Sequence, residues 1–146
     1  MMYKRVLFSI IISVIMITGC SSSSKDNEVN ANTYEVINSM NAIIDGKEYI
    51  INLEDNKTVK SFINMLPLEF DMEELNGNEK YVYLDNALPM DSYSPKRINA
   101  GDIMLYGDNC LVLFYKSFDT SYSYTKIGHI DNLPDLGNGN IKIKFK

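Results

Sequence analysis

Gly101-Asp102-Ile103-Met104-Leu105-Tyr106-Gly107-Asp108-Asn109-Cys110-Leu111-Val112-Leu113-Phe114-Tyr115 is the stretch whose reading decides the fold. Two apolar runs rich in branched and aromatic side chains flank Gly107-Asp108-Asn109. Such side chains suit a pleated surface, and a short Gly/Asp/Asn break between them marks a β-hairpin. Upstream, Asp45-Gly46-Lys47 separates Ser39–Ile44 from Ile50–Leu53 and predicts another hairpin. Asn56-Lys57-Thr58 then opens a segment in which Val59, Phe62, Ile63 and Leu66 recur at i, i+3, i+4 and i+7, the signature of one buried helix face. Asn56 or Thr58 can cap this helix, and Pro67 ends it. From Leu68 the texture turns to strand. Leu68–Met72 alternates, Asn76-Gly77-Asn78 is a turn, and Tyr81-Val82-Tyr83-Leu84 is aromatic and β-branched. The stretch from Pro89 to Asn99 carries Pro89 and Pro95 and reads as a long loop. Another strand is expected within Tyr122–Ile130, then a turn region over Asn132–Asn140 with room for one short helix, then the cleanly alternating Ile141–Phe145. The expectation is a mostly β fold, a small closed or nearly closed barrel of about eight short strands with one main helix.

The N-terminal segment reads differently. Lys4 and Arg5 precede an apolar run, Val6–Ile17, of about a dozen residues, shorter than the roughly 20 a bilayer-spanning helix needs. Ile17-Thr18-Gly19-Cys20 follows, a small residue before a cysteine whose thiol can accept diacylglycerol, in the pattern of a bacterial lipobox. Residues 1–19 are therefore expected to be a lipoprotein signal peptide and Cys20 the lipidated residue. Residues 20–36, opening with Ser21-Ser22-Ser23-Ser24, form a flexible tether, and 37–146 the folded domain. The expected location is outside the cytoplasm, on the outer face of the cell membrane or at an outer membrane. The membrane is then a partner through the lipid anchor.

Removing residues 1–19 takes away Lys4 and Arg5 and no acid, leaving 12 cations against 19 anions and a formal charge of −7. Such a surface repels phosphate backbones, so nucleic acid is not an expected partner. With Cys20 committed to lipid, Cys110 has no disulfide partner, and its apolar neighbours mark a buried, inert thiol. No cofactor or metal is expected. His129 is the one histidine and reads as a surface group at a strand end. Asp71, Glu73 and Glu74 form an acidic patch without the spacing of a calcium loop. Ser123-Tyr124-Thr125-Lys126 matches Ser-x-x-Lys, but in a strand the two residues lie on opposite faces, and neither companion motif is present.

Three stretches resemble the bacterial cyclophilin-like domain family: Asn99–Gly128, Leu66-Pro67-Leu68, and Leu75-Asn76-Gly77-Asn78-Glu79-Lys80-Tyr81. The resemblance spans about Met40 to Lys146 and implies a compact barrel of about eight strands closed by a helix. It also implies a cleft: Gly101-Asp102-Ile103-Met104 resembles the strand before the cyclophilin cleft, and Leu113-Phe114-Tyr115 its Phe-Phe strand. Cyclophilins that isomerise prolyl bonds polarise the amide with an arginine in a Phe-x-Arg type strand. After residue 19 this chain has one arginine, Arg97, in the loop Tyr93-Ser94-Pro95-Lys96-Arg97, matching no such motif. Fold transfers across such a resemblance more safely than activity.

Ten tyrosines and no tryptophan shape the expected site. Tyr122 and Tyr124 alternate with Ser121, Ser123 and Thr125, so one face of the segment is aromatic and the other hydroxylic. Tyrosine offers rigid apolar area with a polar tip. The candidate ligand-binding residues are Tyr106, Phe114, Tyr115, Tyr122 and Tyr124, with Asn109 as a polar contact. The leading expectation is a non-enzymatic module that binds a small molecule or an extended peptide in an aromatic groove. A prolyl isomerase acting on exported chains and a structural or partner-binding lipoprotein remain as alternatives.

Overall fold

The computed structural model describes residues 36–146, so the signal-peptide, lipidation and tether expectations up to residue 35 lie outside the described residues. Among those residues no helix is long and apolar enough to cross a membrane. The chain runs β1 (Ser39–Ile44), β2 (Lys47–Leu53), α1 (Lys57–Ile63), β3 (Leu68–Leu75), β4 (Glu79–Tyr83), β5 (Arg97–Ile98), β6 (Asp102–Tyr106), β7 (Cys110–Phe114), β8 (Phe118–Asp119), β9 (Thr125–His129) and β10 (Ile141–Phe145). Eight strands close into an antiparallel barrel in the order β1-β10-β3-β4-β7-β6-β9-β2, while β5 and β8 form a separate two-stranded sheet.

The expected hairpins form for the expected reasons. Asp45 and Gly46 both have positive φ (45° and 85°), the mirror-image turn that matches strand twist, and Asn76 and Gly77 repeat it between β3 and β4. The β6–β7 hairpin pairs Tyr106 with Cys110 and Met104 with Val112 across Gly107-Asp108-Asn109. The α1 N-cap is Asn56, whose Oδ1 accepts from Val59 N at 2.9 Å. Thr58, the other candidate cap, is buried and its hydroxyl donates to the Pro89 carbonyl.

The barrel interior is filled by alternate residues: Ala42 and Ile44 from β1, Ile103 and Leu105 from β6, Leu111 and Leu113 from β7, Ile141, Ile143 and Phe145 from β10. Helix α1 adds Val59 and Phe62, the latter edge-on to Phe145 with ring centroids 5.4 Å apart. A second apolar cluster lies on the other face of β6 and β7, where Ile98, Met104, Cys110, Val112, Phe114 and Tyr124 pack with Tyr81 and Phe118. All five residues of β7 are buried as a result, which is why this strand reads as a continuous apolar run. Strand β10 keeps one face exposed and alternates cleanly.

Three expectations need correction. The Pro89–Asn99 stretch is not wholly a loop, because Arg97 and Ile98 pair with Asp119 and Phe118. The strand expected within Tyr122–Ile130 is present as Thr125–His129, but Tyr122 and Tyr124, read as sharing one face of it, precede it, and Tyr124 makes only an isolated bridge to Tyr93. No helix forms within Asn132–Asn140. Instead the Gly137 and Gly139 carbonyls accept hydrogen bonds from the Lys80 ammonium at 2.5 and 2.6 Å, and a helical turn there would direct those carbonyls along its own axis.

Two glycines are fixed by close packing. Gly101 has φ of +99°, and a Cβ there would lie 2.1 Å from the Ile130 carbonyl oxygen. At Gly128, where β9 meets β2 through two register pairs, a Cβ would lie 2.5 Å from the Asn52 carbonyl oxygen.

Candidate functional site

The outer faces of β4, β7 and β6 carry an aromatic cleft. In a strand, every second side chain shares a face, so Glu79, Tyr81 and Tyr83 of β4 project together. Register then lays Tyr83 beside Cys110 of β7, which in turn pairs with Tyr106 of β6. Two residue pairs along, on the same face, Tyr81 lies beside Val112. Tyr122 and Tyr124 close the far side, held by the backbone exchange between Tyr93 and Tyr124 (N to O, 2.9 and 3.0 Å). Leu75 at the end of β3 and Asn76 in the turn after it complete a cavity of about 330 Å³.

The rings brace one another edge to face or tilted. Tyr106 lies 6.0 Å from Tyr122 and 5.6 Å from Tyr124, and Tyr81 lies 5.9 Å from Tyr83. Tyr124 in turn stands at 90° to Phe114 at 5.5 Å, which seats the site on the second apolar cluster. Tyr83, Tyr106 and Tyr122 are exposed, whereas Tyr124 is buried. Ring surface left in water beside rings already fixed in place is what a ligand can cover at little entropic cost.

Among the described residues, Glu79 is the one charged side chain lining the cavity. Burial raises its proton affinity above the ordinary carboxyl value, against a lowering hydrogen bond with Asn76, and the nearby Glu74 charge adds to the rise. Burial likewise pushes the Cys110 thiol and the Tyr124 phenol up, with the Glu79 charge adding in both cases. The Cys110 thiol is thus kept from the thiolate form that nucleophilic chemistry requires. Tyr81 is raised by the hydrogen bond it donates to Glu73 Oε2 at 2.9 Å and by that carboxylate's charge.

Of the six residues singled out from sequence, Tyr106, Tyr122 and Tyr124 line this cavity. Phe114 lies beneath it, fully buried against Tyr124 and Phe118. Asn109 sits in the β6–β7 turn and donates to the Leu84 carbonyl at 3.3 Å. Tyr115 follows Phe114 and so faces the opposite side, where its hydroxyl bonds both oxygens of Glu74 at 3.0 and 2.9 Å. There burial, helped by Glu74, pushes its phenol up to about 12. Sequence reading missed Glu79, Tyr81 and Tyr83, although their i, i+2, i+4 spacing in a strand was the available signal.

The other candidate groups are engaged elsewhere. Arg97 pairs with Asp119 at 2.8 Å, its side chain 58% exposed, and does not line the cavity. Glu74 binds Lys80, and Asp71 faces Lys142 across the β3–β10 ladder at 3.8 Å. His129 is half-buried rather than at the surface. Its Nδ1 lies 3.0 Å from Oδ1 of the buried Asp102, which Lys126 approaches at 3.5 Å. Among the described residues no cluster of three or more His, Cys, Asp or Glu is placed to hold a metal ion.

Comparison with known proteins gives one family match, to the cyclophilin-like family over residues 42–146. No curated protein and no solved structure matches significantly. The match covers most of the chain and the whole barrel from within β1 to the end of β10, and this chain belongs to the cyclophilin-like family.

Proposed function

We propose that this protein is a lipid-anchored, extracytoplasmic binding module, and that its ligand, a small molecule or a short extended peptide segment, lies in the cleft bounded by Tyr81, Tyr83, Tyr106, Tyr122 and Tyr124. The observation that carries the reading is the cleft itself: five tyrosines drawn from two strands and one loop onto one outer face, three of them exposed. Anchoring is supported by the sequence around Cys20. Binding is preferred to prolyl isomerisation because, among the described residues, no guanidinium or ammonium lines the cleft, and the amide-polarising cation that such catalysis uses is missing from it.

The test has two arms. Amide chemical-shift mapping with a panel of small fragments and proline-containing peptides is expected to perturb β4, β6, β7 and Tyr122–Tyr124. Tyr122→Ala is expected to weaken the hits about tenfold, the scale of losing one aromatic contact. A panel that leaves these residues unmoved sinks the binding reading. Turnover of an X-Pro peptide that Arg97→Ala abolishes makes the protein an isomerase instead. For the anchor, labelled fatty acid is expected to enter the wild-type chain in cells and not Cys20→Ser.

A further inference from the structure

The reading of the cleft as a binding site leaves its ligand open, and the charge pattern narrows it. We propose that the cleft takes a small organic cation, an alkylated or quaternary ammonium, held between tyrosine rings with the Glu79 carboxylate as its counter-ion. Three observations carry this. First, among the described residues Glu79 supplies the only charge lining the cavity, and no lysine or arginine forms an ion pair with it. A carboxylate drawn partly out of water and left without a cation is a costly arrangement, which an arriving cation relieves. Second, five tyrosine side chains line the walls. The ring quadrupole attracts a cation, and carboxylate-assisted aromatic cages are the usual receptors for methylated ammonium groups. The same chemistry recurs in this fold with its own cations: Lys80 lies 4.6 Å from the Tyr115 ring centroid and Lys47 lies 5.1 Å from that of Tyr49. Third, a cavity of about 330 Å³ sits at the small end of ligand sites, which suits a free cation of a few carbons better than a side chain with its flanking backbone. Anions are disfavoured by Glu79, and a strongly hydrated metal ion gains little from tyrosine walls with one carboxylate.

The experiment titrates the purified full chain with choline and, separately, with its neutral carbon isostere 3,3-dimethylbutan-1-ol, followed by calorimetry and by amide shifts. The two probes share shape and hydroxyl and differ in charge. Choline is expected to bind with shifts at Glu79, Tyr83, Tyr106 and Cys110, and the isostere about tenfold or more weaker. Glu79→Gln, which keeps size and hydrogen bonding, is expected to weaken choline about tenfold and leave the isostere unchanged. Equal binding of the two probes overturns the cation assignment while leaving the binding reading intact, as does choline failing to perturb the cleft at millimolar concentration when fragments from the earlier panel do. A lysine-bearing tripeptide that binds more tightly than choline moves the site to polypeptide and overturns the assignment as well. The binding reading itself falls only if the whole panel leaves the cleft unperturbed.

Discussion

Lys80→Met should destabilise the domain by about 3–4 kcal/mol. Lys80 is wholly buried, and its ammonium bonds Glu74 and the carbonyls of Gly137 and Gly139 while lying over the Tyr115 ring. Removing one member of a buried ion pair costs about 3–5 kcal/mol, because the other charge stays behind. Here the orphan is Glu74, whose side chain is 15% exposed and which keeps the Tyr115 hydroxyl and the Gly77 amide at 2.7 Å, so the lower end of that range applies. The two glycine carbonyls each lose a charge-assisted partner, adding about 1 kcal/mol apiece. Methionine refills the apolar stem and returns part of the loss. Against a total stability of roughly 5–15 kcal/mol the effect is large. Urea unfolding followed by tyrosine fluorescence and far-ultraviolet circular dichroism should show the midpoint falling by about 2 M at a slope near 2 kcal/mol/M. Glu74→Gln alone should cost as much or more, since it strands a fully buried ammonium, while the double variant should cost less than the sum of the two. A loss below about 1 kcal/mol for Lys80→Met, or a double variant as damaging as the sum, would refute the reasoning.

Two further predictions concern the same scaffold. Gly128→Ala should destabilise by about 2 kcal/mol or more, since its methyl meets Asn52 backbone at 2.5 Å in a two-pair seam. An unchanged melting temperature would show that β2 and β9 can separate freely. In acid, Glu74 should be a main source of lost stability. Burial pushes its carboxyl up, but hydrogen bonds from Lys80, Tyr115 and Gly77 outweigh this and hold it below its ordinary value of about 4.5. A depressed folded-state value contributes stability that is present above that ordinary value and is lost as pH falls through the folded one. Glu79, raised by burial, acts with the opposite sign, gaining stability over the acid range just below its folded value. The urea midpoint of Glu74→Gln should therefore depend less steeply on pH below about 4.5 than that of the wild type, and parallel profiles would count against the assignment.

Local chemistry made much of this fold legible. Asp45-Gly46, Asn76-Gly77 and Gly107-Asp108-Asn109 each carry the conformational demand of their turn, so two hairpins and a further turn could be placed from residues alone. The order of strands around the barrel could not, because placing β10 between β1 and β3 depends on contacts about 70 to about 100 residues apart in sequence. The short β5 and β8 strands have too few residues for a pattern, and the Asn132–Asn140 segment takes its shape from a distant lysine. For the site, aromatic density located Tyr106, Tyr122 and Tyr124. Phe114 and Tyr115 were grouped with them because a strand buried on both faces shows no alternation, and without alternation the face of each residue is hidden. Glu79 was invisible as a site residue for a different reason: a carboxylate next to a turn normally belongs to solvent, and here only the folded neighbours draw it into the cleft.

The first and last strands of the barrel share a seam, with Asn41 and Lys146 exchanging backbone hydrogen bonds at 3.0 Å in both directions. Strand β1 is therefore gripped on both sides, by β10 along three register pairs and by β2 along six. On a chain held by its N-terminal segment, tension enters the domain at β1. Pulled along its own axis, that strand loads both ladders in shear, so all their hydrogen bonds bear the load together and none is peeled off in turn. The seam that closes the barrel thus doubles as a mechanical clamp at the point where a tether would pull.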